Sequence, residues 1–369
     1  MLVFGTRPEA IKMAPVVRAC RERADAIDPL IVVTGQHREM LDQVTQYFGI
    51  RPDVDLELMR PDQTLADLTA RCVQGVDGVL REHRPDCLVA QGDTTTVMAA
   101  ALAAFYQRIP FVHVEAGLRT GDLQAPWPEE LNRRIASLVT AVHCASTRQA
   151  ADNLLAEGAS PDTVHVTGNT VIDALLWTVQ RERARPEAWQ RKYGAYSDRR
   201  LVLITGHRRE NFGTGFENIC QAIAALADQF PAVEFLYPVH LNPRVREPVH
   251  RLLGSRPNVH LTEPAAYPEF VWLMDRSYLI LTDSGGIQEE APSLRKPVLV
   301  MRDTTERPEA LASGAAELVG TDAARIVERI SRLLTDEAEY RRRQIDANPY
   351  GDGQAAGRIV DLMLAMLAK

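Results

Sequence analysis

Cysteine is scarce and never clustered: Cys20, Cys72, Cys87, Cys144 and Cys220 stand singly, an odd total with no CxxC pair. That excludes a disulfide scaffold and fits a reducing, cytoplasmic compartment. No run approaches the ~18 apolar residues a membrane span needs, and no charged-then-apolar leader opens the chain, so neither insertion nor signal-directed export is expected. The nine histidines offer no HxxxH or HExxH spacing, which removes the usual zinc patterns, and no metal is expected. A dinucleotide fingerprint is missing as well. GDGQAAG at 351–357 has the wrong glycine spacing and no strand before it, so no nicotinamide cofactor is implied. Positive charge is short: 42 Lys and Arg against 49 Asp and Glu give a net charge of -7. A general nucleic-acid coat is excluded, and any phosphate ligand must meet local cations.

What is present is ordinary globular material. The 369 residues, 46% hydrophobic and 25% charged, exceed the ~250–300 at which one core stops growing and predict two domains. Short apolar runs at 2–4, 30–33, 87–90, 111–114, 142–145 and 164–167 alternate with helical-period segments. After a break the rhythm resumes at 201–204, 233–237, 259–262, 279–281, 298–301 and 316–319. Near-continuous apolar strands separated by helices predict two parallel, doubly wound α/β sheets covered on both faces, with a cleft between the domains. The join lies within 168–200, where a helix over 170–180 gives way to RERARPEAWQRKYGAYSDRR. The tail, 353–369, reads as a docking helix with an apolar stripe of Ile359, Val360, Leu362, Met363, Met366 and Leu367.

Polar residues follow the strand ends: Arg7, Gln36, Asp93, Glu115, His207 with Arg208, His240, and Asp283-Ser284-Gly285-Gly286. In parallel sheets those ends line the ligand crevice. Ser-Gly-Gly between strand and helix leaves backbone N–H groups open to a phosphate, or is a plain tight turn with Ser284 as N-cap. Glu290 could then accept ribose hydroxyls or simply answer the helix dipole. Arg7 and Lys12 flank a helix start marked by Pro8; two cations there oppose the dipole and suggest an anion between them, the alternative being two solvated side chains. Arg307 adds a cation on a loop after a strand. Asp93, Glu115 and Glu129 are the candidates for proton transfer or for stabilising a cationic transition state. Asp93 could instead be an N-cap, and Glu129 with Glu130 only first-turn acids. Glu115 ends the buried run PFVHV, where an idle carboxylate is costly. His207 stands among arginines, which should disfavour its charged form.

The ordered set FGTRPEAIKMAP, GDTTT, HVEAGLRTGD, PWPEE with NRR, TGHRREN, DSGGIQEEAP, RDTTERPEA and NPYGDG closely resembles the non-hydrolysing UDP-N-acetylglucosamine 2-epimerases over essentially the whole chain. The resemblance implies the GT-B architecture, two Rossmann-like domains across a cleft with the last helix crossing back: 1–168 plus 354–369 carrying the catalytic carboxylates, and 169–353 binding UDP. It implies reversible C2 inversion of UDP-N-acetylglucosamine to UDP-N-acetylmannosamine without NAD or metal. UDP would leave by anti elimination through 2-acetamidoglucal and add back, supplying sugars for surface polysaccharide. Asp93, Glu115 and Glu129 become the implied catalytic carboxylates, with His207 at the diphosphate or as an auxiliary. Arg7, Lys12, Phe270, Ser284, Gly285, Gly286, Glu290 and Arg307 take the implied UDP-contacting positions. Gln36, Arg208 and His240 take those of a second, activating UDP-N-acetylglucosamine, and a homodimer is implied. The chain departs from the family in three places: Glu39 replaces Gln, few residues precede Gly5, and Ala265 and Pro268 alter the loop EPAAYPEF expected around the uracil. A GT-B glycosyltransferase, a hydrolysing epimerase and a non-catalytic nucleotide-sugar binder are the rival readings.

Overall fold

The computed structural model describes residues 1–35, 38–60, 62–196 and 199–368, with the backbone alone for 38–40. Gln36 therefore lies outside the described residues, as does the side chain of Glu39. The chain forms two compact units, residues 1–174 with 350–369, and residues 175–349.

The first unit is built on β1 (Leu2–Phe4), β2 (Ile31–Val33), β3 (Val54–Asp55), β4 (Leu88–Gln91), β5 (Phe111–Ala116), β6 (Thr140–Ala145) and β7 (Val164–Val166). All pair in parallel, in the order β3-β2-β1-β4-β5-β6-β7. The apolar runs become strands because crossover helices bury both sheet faces; Val3, Val32, Leu88, Ala90 and Phe111 share one core with the helices over 65–83 and 95–107. Strand β3 is the element without a sequence signal. It has two residues, and the neighbouring Asp53 carboxylate accepts from the Ile31 N–H at 2.7 Å, so a side chain supplies part of the edge pairing. The terminal helix Ala355–Leu367 belongs to this unit, packs against the helix Arg7–Arg21 and buries Ile359, Val360 and Met363. Asp173 caps it, accepting from the N–H groups of Ala355 and Ala356 at 3.3 and 2.9 Å.

The second unit carries β8 (Arg200–Thr205), β9 (Val233–Pro238), β10 (Val259–Thr262), β11 (Leu279–Thr282), β12 (Val298–Val300) and β13 (Ala316–Leu318). These are again parallel, in the order β10-β9-β8-β11-β12-β13. In each sheet the winding direction reverses once, between β1 and β4 and between β8 and β11. The loops leaving the carboxyl ends of those strands diverge to opposite faces and open a crevice. They are the turns that carry Arg7 and Asp93 in one unit and His207 and Ser284 in the other. Among the described residues no helix is long and apolar enough to cross a membrane.

Candidate active site

In the first unit the turn after β1 is fixed by a capping box. Thr6 caps the helix Arg7–Arg21 while the Glu9 carboxylate accepts from the N–H groups of Thr6 and Gly5 at 2.7 and 3.1 Å. Thr94, after β4, donates to Glu9 at 2.7 Å, so one buried acid joins the two turns at the switch point. Burial pushes the Glu9 carboxyl up despite these donors. Arg7 stands exposed at the first residue of its helix.

Strand β5 does not end plainly at Glu115. Its register with β6 slips between Val114 and Ala116, and Glu115 adopts φ +60°, left-handed backbone that costs a non-glycine residue about 1–2 kcal/mol. The bulge is sustained by what the carboxylate meets. Lys12 donates to both its oxygens, at 2.8 and 2.6 Å, Asn169 donates at 3.3 Å, and Gln91 from the end of β4 donates as well. The side chain is only 10% exposed, so these donors also replace lost water. An anion for Lys12 is thus present inside the chain, namely Glu115. Directly after the bulge, Gly117 is obligatory: its φ is +91°, and a Cβ there would lie 2.1 Å from the Ala150 carbonyl oxygen.

Asp93 is not the N-cap of the next helix; Thr94 is, accepting from the Val97 N–H at 3.3 Å. The Asp93 carboxylate instead pairs with Arg133 at 3.1 Å, and its carbonyl accepts from Asn132 at 2.9 Å, both from the helix Glu129–Leu138. Burial holds its pKa above the usual carboxylate range; Arg133 opposes this, and the negative charges of Glu115 and Glu129 add to the rise. The three candidate acids therefore share one electrostatic neighbourhood. Glu129 is half-buried at the first residue of its helix. The architectural acid of the pair is Glu130, fully buried, accepting from the N–H groups of Thr120 and Gly121 and pairing with Arg133. Beneath the cluster, buried His113 donates from Nε2 to the Gly92 carbonyl at 2.7 Å; burial lowers its pKa to about 4, so it stays neutral and its proton remains on that bond.

In the second unit Asp283, fully buried after β11, holds the turn after β8. One of its oxygens accepts from the N–H groups of His207 and Arg208, both at 2.8 Å. Burial acts to raise the Asp283 pKa, but the bonds from His207 and Arg208 outweigh it and the carboxyl ends below the ordinary range. The other oxygen of this carboxylate lies 3.3 Å from the His207 Nδ1, so the ring has an acid beside it in addition to the arginines next to it in sequence. His207 stacks on His240, ring centroids 5.6 Å apart, and burial followed by His207 lowers the pKa of His240.

Ser284 occupies the N-cap position of the short helix Gly285–Glu290 without a side-chain capping bond. A side-chain carbon placed on Gly285 would sit 3.8 Å from a guanidinium nitrogen of Arg208 and 3.8 Å from one of Arg307, so two cations flank the bare turn. Arg307 is oriented by buried Glu289. The Ser284 hydroxyl and the Glu290 carboxylate both lie close to Gly286, each just under 4 Å from where its Cβ would be. Phe270 is half-buried on the helix Tyr267–Arg276, which opens at the altered loop with Pro268 in its first turn.

Sequence reasoning missed the residues that aim the candidates: Glu9, Gln91, His113, Arg133 and Asn169. The T-x-x-E spacing of Thr6 and Glu9 was a readable signal; the others become visible only when distant turns meet.

The family model for UDP-N-acetylglucosamine 2-epimerase matches residues 18–364. The chain is 54% identical to the UDP-N-acetylglucosamine 2-epimerase of Escherichia coli K12, covering 98% of this chain and 97% of that one. It is likewise 54% identical to the Yersinia pestis enzyme of the same name, over 98% and 96%. A crystal structure of the Neisseria meningitidis UDP-GlcNAc 2-epimerase bound to UDP-GlcNAc superposes with a TM-score of 0.91 at 48% identity, covering 99% of each chain. That of the Methanocaldococcus jannaschii enzyme in complex with UDP-GlcNAc and UDP gives 0.81 at 32%, again over 99% of each.

Proposed function

The chain belongs to the UDP-N-acetylglucosamine 2-epimerase family, and on that footing we propose that it interconverts UDP-N-acetylglucosamine and UDP-N-acetylmannosamine by elimination and re-addition of UDP. The observation that carries this reading is the grouping, in the first unit, of Asp93 after β4, Glu115 near the end of β5 and Glu129 at the start of the helix Glu129–Leu138, with Glu115 gripped by Lys12, Gln91 and Asn169.

The C2 hydrogen has no neighbouring carbonyl to acidify it, so cleavage of the anomeric bond must lead. The C1–O bond breaks with its electron pair leaving on the diphosphate. Positive charge develops on C1 and the ring oxygen, where nearby carboxylates stabilise it. A carboxylate takes the C2 proton, the C–H electrons close the C1=C2 bond, and 2-acetamidoglucal and UDP result. In return the diphosphate oxygen attacks C1 while an acid protonates C2 from the opposite face. Two faces require two proton carriers. Asp93, whose carboxyl holds its proton more tightly than an ordinary aspartate, suits the donor on one of them. Glu115 acts on the other face, and Glu129 supports the developing charge. Arg307, Ser284, Gly285 and Gly286 receive the diphosphate, Glu290 the ribose and Phe270 the base, with Arg7 and His207 as further diphosphate contacts. Gln36, Arg208 and His240 hold a second, activating nucleotide sugar; the nearness of Arg208 to Gly285 and the stacking of His240 on His207 support that reading.

The test is an NMR time course on the purified protein with UDP-N-acetylglucosamine alone in heavy water. Deuterium at C2 and growth of the manno epimer are expected. Unlabelled substrate points to a glycosyltransferase lacking its acceptor or to a mere binder, and stoichiometric free UDP with N-acetylmannosamine to a hydrolase; either result ends this reading.

A cytoplasmic homodimer feeding a surface-polysaccharide route completes the proposal. Phe105, Tyr106, Leu131 and Leu138 are exposed on the paired helices over 95–107 and 129–138, an apolar face suited to a second copy. Equilibrium sedimentation is expected to return twice the 41.0 kDa chain mass, and a monomer for Leu138→Glu with Phe105→Glu. A monomeric parent protein would dismiss the dimer.

A further inference from the structure

We propose that Asn169 is a positioning residue for Glu115 and ties the aim of that carboxylate to the place where the chain leaves and re-enters the first unit. The inference rests on the epimerase reading and adds to it a residue that no motif marked for chemistry.

Asn169 is 2% exposed, and three of its hydrogen bonds fix its place. Its side-chain oxygen accepts from the Val171 N–H at 3.0 Å, opening the helix Thr170–Arg183 that carries the chain out of the unit after Ala174. Its backbone N–H donates to the carbonyl of Tyr350 at 2.7 Å, the first residue of the returning segment. Its amide nitrogen donates to Glu115 at 3.3 Å. The amide orientation follows from these partners, because Val171 can only donate and an ionised carboxylate can only accept.

Around it the outgoing and returning backbones touch. Gly168 has φ +90°, and a Cβ there would lie 3.4 Å from the Gly351 Cα. Gly351 has φ +145°, and its Cβ would lie 3.4 Å from the Asn169 nitrogen. The positive φ at both positions favours glycine, and the close passage means that a shift in either segment would be felt at Asn169 and so at a donor on Glu115. A cap alone would not need asparagine. Serine or aspartate serves Val171 equally well, but neither offers the carboxylate an amide donor at the same reach.

The experiment compares Asn169→Ser and Asn169→Asp with the parent protein, by thermal melting, by kcat and KM, and by the pH profile of kcat. Both variants keep an acceptor for Val171. A lost donor is expected to lower kcat between about 10-fold and 100-fold with KM changed less than about threefold, since small misplacements of a reacting group cost that much. In Asn169→Asp the acid limb of kcat should also move to higher pH. A new carboxylate there disfavours the ionised Glu115, against which Lys12 stands as the facing cation and Asp93 as the neighbouring acid. Parent-like kcat with an unmoved acid limb in a folded Asn169→Asp overturns the proposal. If that variant does not fold, parent-like kcat in Asn169→Ser does so, and loss of fold in both assigns Asn169 to architecture alone. A parent protein that labels no C2 position in heavy water sinks the epimerase reading instead, which keeps the two failures apart.

Discussion

Glu115→Gln is expected to lower kcat by roughly 10²- to 10⁴-fold, the usual span for removing a positioned proton carrier, while the Kd for UDP, measured by calorimetry, stays within about threefold. Glutamine preserves volume and keeps one acceptor oxygen for Asn169, while its new amide group can donate to Gln91 once the Gln91 amide turns over. What disappears is the charge that faces Lys12 across 2.6 Å, and with it the proposed proton carrier. Because Lys12 is left partly buried with its partner neutralised, a lower melting temperature is expected too. Affinity for UDP separates the two effects, since the proposed diphosphate turn belongs to the other unit and should survive. Turnover at the parent rate would remove Glu115 from the chemistry.

Arg307→Ala tests the other end of the reaction and should weaken UDP binding by about 100-fold, close to 3 kcal/mol. The side chain is 13% exposed; its guanidinium flanks Gly285 together with that of Arg208 and pairs with Glu289, whose side chain is 3% exposed. Alanine therefore removes a fork that suits a diphosphate and leaves a buried carboxylate facing the place where the anion would sit. Arg307→Lys should recover only part of the loss, because a point charge cannot make two parallel bonds. Calorimetric titration with UDP decides it, and an unchanged Kd in Arg307→Ala would move the diphosphate elsewhere.

The two-sheet fold was legible because apolar runs separated by helical periods leave a parallel sheet as the economical solution, and because glycines and charges fall just past each run. Strand β3 escaped, since Val54 and Asp55 have no alternation to read and lean on a neighbouring side chain. Within the site, composition could nominate Asp93 and Glu115 but not say what each touches. The sequence offered Asp93 as a possible N-cap, and only the structure shows Thr94 in that role. Lys12 looked like a cation waiting for a ligand because Glu115 lies 103 residues away in sequence. Asp283 was visible as a strand-end acid, yet its hold on His207 and Arg208 depends on β8 and β11 being neighbours, a property of topology rather than of any local pattern.

The slipped register at Glu115 also bears on how this strand can drift. At Val112 and Val114 one aliphatic residue can replace another at modest cost, since the surroundings ask only for volume and oiliness, whereas His113 between them is held by its bond to the Gly92 carbonyl. Counting is another matter: a single inserted or deleted residue would turn the acid to the reverse side of the sheet. Lineages descending from such a protein are free to respell the valines of β5 but not to change its length.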